Sequence, residues 1–208
     1  MRNRFRPLCA RLIPYLIVAL CPTDDGPISS FAAELPKVVI GSDPAILPEA
    51  VAEMREAILE AARSGDLEAL RIPIEMNEIP PVIGPPDAGR DPLLWWRKVS
   101  ADGEGREVMA ALTLILEAGY AHVDPDGPRE MYVWPYLAAV PLGELTPRQS
   151  IDLHRIAKGA EAEAMTASGV YSGWRLGIGA DGVWHYMETG SAAVGGGSRS
   201  ASEATPQP

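Results

Sequence analysis

The 208-residue chain contains two cysteines, Cys9 and Cys21, and both fall within its first 32 residues. Without that segment no thiol is left, which excludes a disulfide, a cysteine nucleophile and a cysteine-ligated metal from the rest of the chain. Histidine is nearly as scarce. The three, His122, His154 and His185, include no H-x-x-x-H or H-E-x-x-H pair of the kind that sets two imidazoles on one metal. The strings G-x-S-x-G, S-x-x-K and the P-loop are also missing. Positive charge is short, with 18 Lys and Arg against 28 Asp and Glu, a net of −10. Such a surface repels phosphate backbones and anionic lipid, so nucleic acid is excluded as a partner. No apolar run reaches the about 20 residues that a membrane-spanning helix needs.

What is present begins with an N-terminal export pattern. Arg2, Arg4, Arg6 and Arg11 precede the short apolar run "LIPYLIVAL" (12–20), and the small residues Ser30 and Ala32 follow. These are the parts of a secretory signal peptide, so residues 1–32 are expected to be removed and the protein to be periplasmic or secreted. Removal leaves 14 basic and 26 acidic residues and no membrane span. Cys21 invites a lipid anchor, but Leu20 before it is larger than such a site accepts. The expected organisation is a signal peptide over 1–32, one domain over 33–189 and a disordered, low-complexity tail over 190–208.

Within the domain, Pro48 opens a helix whose one face carries Val51, Met54, Ile58 and Ala61, and Gly65 ends it. Asp66 caps a short second helix that Pro73 damages. Residues 58–75, "ILEAARSGDLEALRIPIE", resemble half of an ankyrin repeat in the Ala61-Ala62 pair, the Gly65-Asp66 turn and the Leu67/Leu70 face. No second copy follows at the 33-residue period and no T-P-L-H string occurs, so the plainer expectation is a helical hairpin. Met76 to Arg90, rich in Pro and Gly, is expected to hold no regular element and to wrap the surface or cover an edge. Asp91 and Pro92 cap and open "DPLLWWRKV". The strongest helix, Arg106 to Ala118, is apolar nearly all round through Val108, Met109, Leu112, Ile115 and Leu116, as a buried central helix would be. Thr146, Pro147 and Gln149 form a capping box, starting a helix expected to run to Met165 with Leu153, Ile156, Ala157, Ala160 and Ala164 as its stripe.

Strand signals sit in the second half. "YAHVDPDGPREMYVWPYLA" reads as a hairpin about Asp-Pro-Asp-Gly, and Pro135 either confines the second strand to an edge or ends its pairing. "GWRLGIGADGVWHY" spells G-x-G-x-x-G at Gly177, Gly179 and Gly182. A dinucleotide loop must open a helix, and strand-like "VWHYMET" follows instead, so no such cofactor is expected. A hairpin turning on Asp181-Gly182 explains the string better. Its register sets Gly179 under Trp184, Gly177 under Tyr186, Arg175 opposite Glu188, Ile178 against His185 and Leu176 against Met187, with Trp184 and Tyr186 on one outer face.

The expected fold is therefore α+β: a helical N-terminal half and a small antiparallel sheet of about four strands on the central buried helix. "YSGWRLGIGADGVWHY" and "REMYVWPYLA" resemble segments of uncharacterised exported bacterial proteins, a resemblance that implies export and carries over no catalytic residue.

Two functions follow. The first is a non-enzymatic exported protein that binds an envelope glycan or a protein partner through aromatics. Its candidate residues are Tyr132, Trp134 and Tyr136 in one alternating run, with Trp184, Tyr186 and Arg175 in the last hairpin. The second is a hydrolase of cell-envelope sugar or peptide, with Glu104, Glu107 or His185 as acid or base. Neither expectation includes a cofactor or a metal. "DGEGRE" (102–107) lacks the bidentate Glu of a calcium loop, Thr113 standing at that position.

Overall fold

A computed structural model describes residues 36–85, 89 and 91–190. The expected signal peptide, both cysteines and the tail beyond Gly190 lie outside the described residues. The sheet has six strands, β1 (Val38–Gly41), β2 (Val82–Ile83), β3 (Tyr120–Val123), β4 (Met131–Trp134), β5 (Trp174–Gly179) and β6 (Trp184–Thr189). Their spatial order is β1-β3-β4-β5-β6-β2, antiparallel throughout except for β2 against β6. The α+β class stands. The four expected strands gain one from the extended lead-in and one from the Pro/Gly stretch, where Val82 and Ile83 line the edge of β6.

Among the described residues six α-helices flank the sheet: α1 (Glu49–Ser64), α2 (Arg71–Glu75), α3 (Pro92–Val99), α4 (Arg106–Leu116), α5 (Pro147–Ile156) and α6 (Ala160–Ser168). The first four build a core on one face. There Val51, Met54 and Ile58 of α1, Trp96 of α3 and Leu112 of α4 meet Tyr132, Trp134, Leu176, Ile178 and Trp184. The last two cover the other face, where Leu153, Ala157, Ala162 and Met165 meet Ala121, Val123 and Val133. The alternation of strand side chains divides the two cores. All five apolar residues expected on the central helix are buried in α4.

Local signals explain several element ends. Asp91 Oδ1 accepts from the Leu93 amide at 3.0 Å, and Thr146 and Gln149 form the reciprocal capping box. Asp102 Oδ1 accepts from Ser100 Oγ and from the amides of Glu104 and Gly105 at 2.7–3.1 Å, tying down the loop before α4. Two expectations change. Pro73 does not damage α2, because it sits in the first turn, where amides have no intrahelical partner. The long helix expected to reach Met165 breaks between Ile156 and Ala160. Gly159 there has φ 53° and ψ −129°, a conformation that side chains disfavour. The break turns the apolar face, so Ala162 and Met165 are buried in place of Ala160 and Ala164.

Candidate functional site

The last hairpin forms, but with a different tip. The Gly182 amide donates to Gly179 O and the Gly179 amide to Val183 O, both at 2.9 Å, so the loop is Ala180 to Gly182 rather than the two-residue turn expected. Gly182, at φ 85°, takes its left-handed end. One residue beyond the tip β6 bulges: Ile178 pairs with Trp184 and Gly177 with Tyr186, leaving His185 with no partner across the strand. The extra loop residue and the bulge cancel. The outer pairs Gly177–Tyr186, Leu176–Met187 and Arg175–Glu188 are therefore those expected. Between tip and bulge the faces exchange. Trp184 turns inward and is fully buried, its ring centroid 6.3 Å from that of Trp96, while His185 is exposed over Gly179.

Asn77 supports this arrangement. Its Oδ1 accepts the Trp184 amide at 2.8 Å, and its Nδ2 donates to Pro73 O and Ile74 O at the end of α2. A buried side chain from the Pro/Gly stretch thus satisfies a strand amide and a helix end together.

The expected aromatic platform is not a surface. Tyr132, Trp134, Tyr136 and Trp184 each expose 6% or less. Tyr132 and Trp134 cluster with Tyr120 at centroid distances of 5.6–6.5 Å beneath the first four helices. Tyr136 does not share their face. Pro135 ends β4, and Tyr136 begins a 3-10 turn that packs into the other core. Its hydroxyl donates to Asp152 Oδ2 at 3.0 Å, and burial, aided by that bond, raises its pKa. Tyr186 stays half-buried, with its ring over Gly177, where a Cβ would collide with it. Burial pushes its phenol up to about 12, the Arg175 charge opposing and the Glu188 charge assisting. Arg175 is buried and its Nη2 donates to Glu188 Oε1 at 2.7 Å, as the expected cross-strand pair requires.

Two aromatics that the sequence reading passed over line a cleft instead. Trp95 and Trp174, both half-buried, wall a space of about 360 Å³ with Gly84, Pro85, Val99, Glu188 and Thr189. Each had a signal. Adjacent Trp95 and Trp96 stand about 100° apart on a helix, so with Trp96 in the core Trp95 must turn outward. Trp174 is the first residue of β5, at the strand's end, where a ring can stay part-exposed. Gly84 lets the Trp95 indole lie against the backbone, since a Cβ there would clash with the ring. Lys98 Nζ stands 5.6 Å from the Trp95 ring centroid. The Arg175 bond fixes the Glu188 carboxylate in the wall.

The candidate acid and base residues do not converge. Glu104 and Glu107 are exposed before and in the first turn of α4, Glu107 accepting the Ala101 amide at 3.1 Å. His185 lies on the bulge, and none of the three lines the tryptophan cleft. Among the described residues no cluster of His, Cys, Asp or Glu can hold a metal ion, and no helix is long and apolar enough to cross a membrane. Comparison with protein-family models, curated proteins and solved structures found no match to this chain.

Proposed function

We propose that this is an exported, non-enzymatic binding protein whose ligand is an envelope glycan held in the Trp95–Trp174 cleft. The observation that carries the reading is the placing of two half-buried indoles beside a carboxylate locked by a buried arginine. A sugar ring has an apolar C–H face and a rim of hydroxyls. Indoles take the first, and a fixed carboxylate with a neighbouring hydroxyl, here Glu188 and Thr189, takes the second. A proline-rich peptide would also stack on tryptophan, but its prolines have no N–H to offer the Glu188 oxygen that Arg175 leaves open. Export rests on the N-terminal sequence and has its own test: a mature chain beginning near Ala33 in the periplasmic fraction supports it, and an intact N-terminus found only in cytoplasm rejects it.

Binding is tested by following tryptophan fluorescence while soluble envelope glycan fragments are added. A saturable change is expected, weakened about tenfold or more by Trp174→Ala and by Glu188→Gln. A titration without saturation, or one that both variants leave unchanged, would remove the proposal.

A further inference from the structure

A second cleft, of about 420 Å³, opens toward the β1 edge of the sheet and is chemically unlike the first. Its walls are Ile40 and Gly41 at the end of β1, Ser42 after it, Glu117 to Gly119 after α4, Tyr136, and the polar face of α5. On α5, Arg148, Asp152 and Arg155 recur at i, i+4 and i+7 and so share that face. The acceptors in the cleft are already engaged. Glu117 Oε1 takes a hydrogen bond from Arg63 Nη2 at 2.7 Å. Asp152 takes one from Tyr136 on Oδ2, and its Oδ1 stands 3.7 Å from Arg155. Gln149 Oε1 accepts from Thr146.

Two of the donors are not matched in this way. Among the described residues Arg148 makes no ion pair or hydrogen bond, and neither does the Ser42 hydroxyl. Arg148 and Ser42 are both exposed, so their donors are open to a ligand that enters the cleft. A planar guanidinium fork is complementary to an oxyanion, which it binds through two parallel N–H bonds. The volume falls in the range of small-molecule sites and exceeds the needs of a bare ion.

We propose that this cleft binds a small organic oxyanion, with Arg148 as its main ligand, Arg155 beside it and the Ser42 hydroxyl as a further donor. The anion is a carboxylate or a phosphate monoester. Both offer the same paired oxygens to the guanidinium, and the test separates them.

The protein is titrated with succinate and, separately, with glycerol 3-phosphate at constant ionic strength, and NMR follows the arginine Nε–Hε signals and the amides of Ser42 and Gly119. One ligand is expected to give saturable shifts at Arg148 and at both amides, and the one that does so identifies the anion. Arg148→Gln should weaken binding about tenfold or more, and Arg148→Lys should restore part of it. Arg129→Gln, outside the cleft, should bind as the parent does. Absence of saturation with both ligands overturns the proposal. So do shifts that sodium chloride reproduces, or affinity unchanged in Arg148→Gln while its thermal melt matches the parent.

Discussion

The two faces of the sheet are filled in opposite ways. Under α1 to α4 the strands send rings, Tyr120, Tyr132, Trp134 and Trp184, into a core that also holds Trp96. Under α5 and α6, β3 and β4 send Ala121, Val123 and Val133 against Leu153, Ala157, Ala162 and Met165, and the rings of that core, Tyr136 and Tyr171, come from outside the strands. Large planar groups interlock in few arrangements, so the ring face fixes where its neighbours stand. Small groups let helices come close and tolerate a break such as the one at Gly159. Position is thus specified mainly from one side of the sheet.

The largest test of that asymmetry is Trp184→Ala. It removes a fully buried indole against Trp96 and should destabilise by about 3–5 kcal/mol in urea denaturation. On the small-residue face Leu153→Ala, also fully buried, should cost about 2–3 kcal/mol. Equal costs at the two sites would abolish the distinction. Asn77→Ala comes next, at about 1–2 kcal/mol, because it strands the Trp184 amide. Hydrogen exchange at that amide should quicken well before global unfolding, and unchanged protection would mean that another acceptor serves it.

The smallest effect, absent at neutral pH, is alkaline. Burial raises Tyr120 and Tyr132 on the ring face and Tyr136, Tyr171 and Tyr186 elsewhere, Tyr186 to about 12. The native chain keeps phenol protons that the unfolded chain releases near pH ~10. This contribution is therefore intact below ~10 and lost as pH climbs through 12. Urea midpoints should fall between about pH 10 and about 12, while a flat profile would mean the phenols are open to water.

Much of this was legible because local rules and tertiary packing agree. The Arg106–Leu116 helix is apolar enough to be buried whatever it meets, and Thr146-Pro147-Gln149 caps a helix by its own chemistry. The outer hairpin pairs follow from glycines that must lie beneath rings. The misses lie where a distant residue decides. Nothing near Trp184 says that it turns inward, because its amide is satisfied by Asn77, 107 positions away. Val82 and Ile83 are too few to signal a strand without the edge of β6. Ring identity alone does not tell core from cleft. Exposure does: Trp95 and Trp174 are half-buried, whereas Trp134 and Trp184 are buried.

The contacts of the last hairpin have a consequence in time. Its tip at Gly182 abuts Ala50 at the start of α1, its β6 strand holds β2, and its Trp184 completes the wall that α3 faces. These partners, α1, β2 and α3, are all made before the hairpin that completes their packing. The early helices must therefore wait, part-formed and greasy on one side, until the final strands emerge. A chaperone that shields that side until the last strands pair should raise the yield of native protein.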